Sequence, residues 1–226
     1  MQNDDSSSHY IPNEYWLKRG KVYMSNFRYN KRYQLQERML IEYLRTIDFV
    51  SVLEVGCGFG RITSQVIGNF PRIRDYLAVD LSPDQIRNAQ EYIKPVEVNS
   101  DINLKFIVSD IQSMHVDRRF DLVLASEVLM HILPNDISKV ITMLVQLAKK
   151  HVINIDWFED PAPQQRPDTW NFVHPYEMIY KNMPSINQVF RIPIIKKGML
   201  GKLDARQSIF HAVITPQADA SQYDTH

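Results

Sequence analysis

The sequence predicts an α/β fold of the doubly wound type, in which helices cover both faces of a mostly parallel sheet. Two observations carry this prediction. Apolar stretches of strand length alternate with segments of helical spacing from Val50 to Trp157, and each parallel strand needs such a crossover to reach the next one. The predicted strands are also apolar along most of their length, as in sheets that are buried on both faces.

The first half of this alternation contains two strand–helix units. We expect a strand at VSVLEV followed by a helix at GRITSQVIGNF, and a strand at DYLAVDL followed by a helix at SPDQIRNAQEYI. Ser82 is placed to cap the second helix, and Pro83 suits its first turn because that position needs no N–H donor. The two units together predict a pair of neighbouring parallel strands.

The second half continues the pattern and then departs from it. We expect a third strand at LKFIVSD, a fourth at FDLVLASEVLMHI that runs into a loop, a helix at DISKVITMLVQLAKK opened by Asp136, and a fifth strand at HVINIDW. A long polar loop, WFEDPAPQQRPDTWNFVH, then leads to a short helix near PYEMIYKNM. Two late strands, VFRIPII and QSIFHAVITP, are expected to pair as an antiparallel hairpin at one edge of the sheet.

The length of 226 residues and the hydrophobic content of 44% fit one substantial domain. We place this domain at residues 10–216, between polar tails at residues 1–9 and 217–226 that have little to bury and are expected to be disordered. Ahead of the first strand, apolar side chains at helical spacing predict an amphipathic helix, formed by Leu35, Met39, Leu40, Tyr43 and Leu44.

The composition limits the classes of partner. Lys+Arg and Asp+Glu each number 26, so net charge gives no reason to expect nonspecific binding to nucleic acid or acidic membranes. Cys57 is the single cysteine, which excludes an internal disulfide and a zinc site built from several cysteines. No apolar run approaches the roughly 20 residues of a membrane-spanning helix. We therefore expect a cytoplasmic protein without a membrane anchor.

The most informative stretch is VSVLEVGCGFGRIT, in which Gly56, Gly58 and Gly60 directly follow a strand. Closely spaced glycines let the backbone approach a ligand, and the following helix offers unpaired N–H groups. Carboxylates end the next two strands, at Asp80 and Asp110, and a carboxylate in the first of these positions can accept both hydroxyl hydrogens of a ribose. The pattern therefore indicates a nucleotide-like ligand, whereas the glycines alone are equally consistent with a tight turn.

Four segments in this order, LEVGCGFG, AVDLSP, VSDIQSM and FDLVLASEVLMHI, resemble the successive motifs of class I methyltransferases that use S-adenosylmethionine. The resemblance covers roughly residues 35–156. It implies a Rossmann-like methyltransferase fold with a seven-stranded sheet, whose antiparallel last strand the terminal hairpin would provide. It also implies an enzyme that takes S-adenosylmethionine as its cofactor.

The resemblance further assigns the parts of a cofactor site. The glycine loop would surround the methionine part of the cofactor, the carboxylate after the second strand would hold the ribose, and the segment after the third strand would bind the edge of the adenine. The residues assigned in this way are Glu54, Gly56, Cys57, Gly58, Gly60, Asp80, Leu81, Asp110, Ile111, Ser126 and Glu127. No metal is required in principle, because a sulfonium activates its own methyl group.

A nicotinamide-dependent oxidoreductase is the rival interpretation of the glycine loop, since it shares a strand–glycine–helix phosphate site. It fits the sequence less well. Glu54 stands ahead of the glycines, where a carboxylate suits an ammonium group but would repel a pyrophosphate.

Two histidines are candidates for a catalytic general base. His131 lies in the loop after the fourth strand, and His174 lies just before Pro175 in the late loop. An imidazole with an ordinary pKa near ~6.5 can remove a proton at neutral pH. A structural role stays open for His131, and we expect Glu127 to hydrogen-bond the cofactor or the backbone.

Two segments are candidates for the walls of an acceptor pocket. The late loop follows the carboxyl end of a parallel strand, where ligands of open sheets bind, and its candidates are Asp156, Trp157, Trp170, His174 and Tyr176. The tryptophans are equally consistent with core burial. Residues 10–33 interleave aromatic with basic side chains, which we interpret as a helical lid over the cofactor. A patch for an anionic acceptor and a solvated surface are the alternatives.

The acceptor is narrowed by one further comparison. After the fourth strand the chain reads SEVL, whereas the family's enzymes for the amine of DNA adenine or of glutamine carry Asn/Asp-Pro-Pro-Tyr/Phe. A hydroxyl of a small molecule or sugar is therefore the leading acceptor, followed by a carboxylate or an amine. We expect a monomer or homodimer, with nucleic acid disfavoured as a partner and no membrane. The alternatives are a cofactor-binding subunit without turnover and a methyltransferase for RNA or another anionic acceptor.

Overall fold

The computed structural model describes residues 11–94, 101–159, 171–197 and 203–216. Both predicted tails, Tyr10 of the predicted lid, Trp170 and part of the late loop lie outside these ranges. The described residues contain seven strands: β1 Ser51–Val55, β2 Asp75–Asp80, β3 Asn103–Val108, β4 Phe120–Ser126, β5 Ala148–Trp157, β6 Ile186–Lys197 and β7 Leu203–Ile214.

The seven strands form one sheet in the order β3-β2-β1-β4-β5-β7-β6. The first five strands in the chain pair in parallel, and β7 runs antiparallel to both β5 and β6. The prediction of a mostly parallel seven-stranded sheet with an antiparallel last strand is confirmed. Within the hairpin, the last strand is the inner one, and β6 forms the edge of the sheet.

The helices are α1 Pro12–Phe27, α2 Lys31–Leu44, α3 Arg61–Asn69, α4 Pro83–Ile93, α5 Ile137–Leu147 and α6 Tyr176–Lys181. The Ser82 side chain accepts a hydrogen bond from the Gln85 N–H and so caps α4, as predicted. The helix predicted at DISKVITMLVQLAKK extends to Lys150, whereas the observed helix, α5, ends at Leu147. It ends there because Ala148 pairs with Phe120 and extends β5.

Two apolar cores cover the two faces of the sheet. One core lies between the sheet and helices α5 and α6, and the other lies between the sheet and helices α2, α3 and α4. Neighbouring strand residues alternate between them, so Val52 faces the second core and Leu53 faces the first. The carboxyl ends of the strands remain available for a site. None of the helices in the described ranges is long and apolar enough to cross a membrane.

A partly buried polar chain joins α2 to the antiparallel side of the sheet. The Tyr43 hydroxyl lies 2.7 Å from His211 Nδ1, and His211 Nε2 lies 3.0 Å from His151 Nδ1. Burial, reinforced by the neighbouring His151, lowers the pKa of His211 to about 4. The native fold therefore holds this ring in its neutral form at pH 7.

We expect His211 to make the free energy of unfolding fall as the pH is lowered from about 7 to about 4. Its folded pKa lies below the unfolded value of ~6.5, so the unfolded chain binds the proton first across this window. His211→Gln should show a shallower pH dependence in urea denaturation, by on the order of 2 kcal/mol. His115→Gln, at an exposed position, should follow the wild-type dependence. Parallel curves for wild type and His211→Gln would contradict the assignment.

Candidate active site

A cleft of about 880 Å³, its open mouth included, lies at the carboxyl ends of strands β1 to β4 and beneath α1. This is where open α/β sheets bind ligands. Nine of the predicted site residues line the cleft: Gly56, Gly58, Asp80, Leu81, Asp110, Ile111, Ser126, Glu127 and His131.

The glycine loop forms the floor of the cleft. Gly56 and Gly58 have φ angles of 70° and 54°, in the left-handed region that favours glycine. A Cβ atom on Gly56 would clash with the side chain of Val128. The loop is anchored to β2, because the Gly56 N–H donates to the Val79 carbonyl over 2.7 Å. Side chains are therefore kept out of the floor, and a ligand can approach the backbone.

Asp80 ties this loop to the end of β2. Its Oδ2 accepts a hydrogen bond from the Gly58 N–H at 2.8 Å, and its Oδ1 accepts one from the Ser82 N–H at 2.9 Å. Burial raises the pKa of Asp80, and these two hydrogen bonds oppose that shift. Each oxygen keeps a lone pair for a ligand hydroxyl.

Asp110 joins the end of β3 to the helix above the cleft. Its Oδ2 accepts a hydrogen bond from Asn13 Nδ2 of α1 at 2.7 Å, and its Oδ1 accepts one from the Gln112 N–H at 2.9 Å. The carboxylate therefore binds α1 at the side of the cleft that the resemblance assigns to adenine.

His131 lies on the opposite side of the glycine loop, after β4. It belongs to a short 3₁₀ turn, Leu129–His131, and its ring packs against Trp16 with centroids 4.5 Å apart. The turn follows Glu127, whose φ of 57° is unusual for a residue with a side chain. The Glu127 carboxylate accepts a hydrogen bond from Gln207 Nε2 of β7.

The comparisons with known proteins agree with this geometry. A family model described as "Methyltransferase domain" matches residues 52–151, the segment that contains the glycine loop and both carboxylates. Residues 52–151 thus form a methyltransferase domain of the class I type. S-adenosylmethionine is the cofactor of this family.

Relatives and solved structures extend the comparison. A malonyl-[acyl-carrier protein] O-methyltransferase of Acetivibrio thermocellus is 26% identical over 126 residues, which are 54% of this chain and 41% of the relative. One from Ilyobacter polytropus is 32% identical over 77 residues, which are 34% of this chain and 27% of the relative. The chain thus spans less than half the length of the curated relatives it matches.

Two crystal structures share the fold. Magnesium protoporphyrin IX methyltransferase from Synechocystis PCC 6803 with bound S-adenosylmethionine has a TM-score of 0.66 and 15% identity, and 93% of this chain and 100% of that chain are covered. The N-methyltransferase NodS from Bradyrhizobium japonicum, in complex with S-adenosylhomocysteine, has a TM-score of 0.67 and 16% identity, with 90% and 99% covered.

The residues of the cleft fit S-adenosylmethionine. Asp80 and Asp110 supply acceptors for hydroxyl and amino hydrogens, and the glycine floor admits a flat ligand close to the backbone. Trp16 Nε1 is buried at the wall of the cleft and has no hydrogen-bond partner among the described residues. Buried donors are normally satisfied, so this N–H still needs an acceptor.

Three predicted cofactor residues, Glu54, Cys57 and Gly60, lie outside the described lining of the cleft. Glu54 is buried beneath the glycine loop, where it accepts hydrogen bonds from Thr63 and Tyr76, and burial raises its pKa to about 7. The Cys57 side chain is buried as well, and Gly60 packs against α4. These residues support the loop from below, which the motif alone does not distinguish from direct contact.

His174, the second predicted base, also lies outside the described lining, together with Asp156, Trp157 and Tyr176. The residue is 3% exposed, and its Nε2 donates to the Ile132 carbonyl over 3.0 Å. Burial lowers the pKa of His174 to about 4, against the influence of nearby backbone carbonyls. The described part of the late loop therefore packs behind the site rather than facing the cleft.

Residues 10–33 are predicted to form a lid, but the site residues predicted from the sequence include none of the α1 residues that form the roof of the cleft. Asn13, Trp16, Gly20 and Tyr23 all line the cleft. Their spacings of three, four and three residues place them on one helical face, and this periodicity is the signal that could have identified them. Gly20 lets α1 lie directly against Ser82, because a Cβ atom at this position would clash with the Ser82 side chain.

Proposed function

We propose that the protein transfers the methyl group of S-adenosylmethionine to an oxygen atom of a small-molecule acceptor, with a hydroxyl as the leading acceptor. The observation that supports this most is the separation of two kinds of group across the glycine loop. Asp80 and Asp110 follow β2 and β3 on one side, and His131 follows β4 on the other. One side suits the adenosine, and the other offers a base.

The residues divide the work accordingly. When bound, S-adenosylmethionine supplies a methyl group activated by a positively charged sulfur. Asp80 and Asp110 orient the adenosine through hydrogen bonds, and the glycine floor lets the ligand lie against the backbone. His131 accepts the proton of the acceptor hydroxyl, and its packing against Trp16 limits the orientations of its ring.

We assign the role of a lid to α1. The helix is fastened at three places: Asn13 to Asp110, Trp16 to His131, and Gly20 against Ser82. Because these contacts span the cleft from the adenine side to the methyl-transfer side, closure of α1 would exclude water from the whole site. The lid is then coupled to the cofactor through the carboxylate of Asp110.

We expect Asn13→Ala to raise the dissociation rate of S-adenosylhomocysteine about tenfold, because the variant loses a charge-assisted hydrogen bond that holds the lid. Stopped-flow tryptophan fluorescence would measure this rate. Glu14→Ala, which changes the next and exposed position of the same helix, serves as the matched control. Equal dissociation rates in wild type and Asn13→Ala would contradict the assignment of α1 as a lid.

A carboxylate carried on a protein is the second candidate acceptor. Four relatives are named malonyl-[acyl-carrier protein] O-methyltransferases, and a carboxylate is an oxygen acceptor too. It is already ionised at neutral pH, so it needs no base. The two candidates therefore make different demands on His131.

Transfer of a labelled methyl group distinguishes these possibilities. The protein would be incubated with labelled S-adenosylmethionine and either a metabolite extract or a malonyl-loaded carrier protein. We expect a labelled product that is stable to mild alkali, as a methyl ether is. A label released by alkali would indicate a methyl ester and favour the second candidate. Cofactor binding without transfer to any acceptor would favour a subunit without turnover.

A further inference from the structure

The loop that follows β4 is held in place by contacts from behind the cleft. We call residues 127–132 the active-site loop. It begins at Glu127 with a left-handed backbone conformation, which persists only where the surrounding structure enforces it. On the cleft side, Val128 packs against the glycine floor at Gly56. The shape of the loop therefore depends on the groups that contact its other side.

The first set of contacts with the active-site loop comes from the end of β5. Asp156 Oδ1 accepts a hydrogen bond from the Met130 N–H at 3.2 Å. Asp156 Oδ2 accepts one from Asn154 Nδ2 at 2.8 Å, and Asn154 Oδ1 accepts one from the Tyr180 hydroxyl at 2.9 Å. These three side chains are fully buried. A polar relay thus runs from α6 through β5 to the residue next to His131.

The second set of contacts with the active-site loop comes from the segment before α6. The Phe172 N–H donates to the Met130 carbonyl over 2.7 Å. His174 Nε2 donates to the Ile132 carbonyl over 3.0 Å. Met130 and Ile132 flank His131 on both sides in the chain, so the backbone around this residue is fixed from two directions. Both sets of contacts use buried polar groups. These contacts constrain the loop strongly, because leaving a buried polar group unpaired costs free energy.

We propose that Asp156 and His174 are positioning residues that hold the active-site loop so that His131 stands at the methyl-transfer end of the cleft. This inference rests on the proposed function for its catalytic meaning, since it gives the two residues a role in the placement of the base. Neither Asp156 nor His174 is itself among the residues that line the described cleft. Displacement of a catalytic group by about 1 Å can cost ~10²-fold in rate.

An exchange of two side chains provides a sharp test. Asp156→Ala removes the bonds to Met130 and Asn154. In the double variant Asn154→Asp/Asp156→Asn, the amide and the carboxylate trade places. The new amide would accept from Met130 and donate to the new carboxylate, which would still accept from Tyr180, so every bond in the relay is retained. For His174, Ala removes the donor to Ile132, whereas Gln supplies an N–H in its place.

The readouts do not require a known acceptor. With S-adenosylhomocysteine bound, we expect Asp156→Ala to speed hydrogen exchange of the Met130 amide at least about tenfold and to shift the NMR signals of the His131 ring. His174→Ala should also shift those ring signals. The double variant Asn154→Asp/Asp156→Asn and His174→Gln should restore the wild-type values. S-adenosylhomocysteine should bind all folded variants within about threefold of wild type.

The proposal would be overturned if Asp156→Ala left both the hydrogen-exchange rate of the Met130 amide and the NMR signals of the His131 ring unchanged. It would also be overturned if the folded double variant Asn154→Asp/Asp156→Asn behaved like Asp156→Ala. If Asp156→Ala fails to fold, the pair His174→Ala and His174→Gln decides by the same ring signals. A wild-type protein that does not bind S-adenosylhomocysteine would contradict the proposed function instead. The exchange and NMR measurements on the free protein would then still decide whether the loop is held in this way.

Discussion

His131→Ala is expected to lower the rate of methyl transfer to a hydroxyl acceptor by about 10²–10⁴, the usual contribution of a positioned base. The affinity for S-adenosylhomocysteine should fall by no more than about tenfold, the effect expected for the loss of one lid contact, because His131 lies on the β4 side of the glycine loop and Asp80 and Asp110 lie on the β2 and β3 side. The measurement is turnover at saturating cofactor across a range of pH. The acid limb of the wild-type profile should be lost in the variant.

His131→Phe is the matched control for this prediction. A phenyl ring preserves an aromatic contact with Trp16 but has no nitrogen to accept a proton. If His131 acts as a base, Phe and Ala should be equally slow. Recovery of the rate by Phe would show that the ring serves to seat the lid. Near-normal rates in both variants would point to an acceptor that is already ionised, such as a carboxylate.

Asp80→Ala is expected to weaken the binding of S-adenosylhomocysteine at least tenfold, which corresponds to a loss on the order of 1.5–3 kcal/mol for charge-assisted hydrogen bonds. Two effects add in the same direction. The carboxylate is lost as a ligand of the ribose, and the Gly58 and Ser82 N–H groups lose the acceptor that shapes the floor of the cleft. Calorimetric titration measures the change.

A ribose analogue separates the two effects at Asp80. Wild type should bind S-adenosylhomocysteine more tightly than its 2′-deoxy analogue, whereas Asp80→Ala should bind the two about equally if the carboxylate contacts the hydroxyl. Asp84→Ala changes a nearby carboxylate outside the described lining of the cleft and should bind like wild type. An equal preference for the hydroxyl in wild type and Asp80→Ala would show that Asp80 shapes the loop without touching the ribose.

The sheet could be predicted from the sequence because its signals are local and repeated. Most of the parallel strands are short apolar runs, and carboxylates such as Asp80 and Asp110 end or closely follow two of them. A parallel arrangement follows from the helices between the runs. The carboxyl ends of these strands meet at one edge of the sheet, so the residues that follow them line one cleft. The order of the two late strands has no such local signal, and β7 rather than β6 pairs with β5.

The direction in which a side chain points was harder to predict. Glu54 stands within the glycine motif, yet it faces Thr63 and Tyr76 beneath the loop. The position of His174 after β5 predicts a place in the site, but its ring turns inward to a backbone carbonyl. Along a strand, a shift by one residue reverses the direction of a side chain, and in a loop only tertiary contacts settle that direction. The lid predicted at residues 10–33 includes Trp16, but only the path of α1 across the strand ends shows that this side chain lines the cleft.

Calorimetric titration of the wild-type protein with S-adenosylhomocysteine, and separately with a nicotinamide dinucleotide, tests the central claim that the cleft is built for the methyltransferase cofactor. We expect S-adenosylhomocysteine to bind with micromolar affinity and to compete with S-adenosylmethionine for one site, and we expect the dinucleotide not to bind. Micromolar binding of the dinucleotide, with no measurable binding of either adenosyl ligand, would contradict the claim.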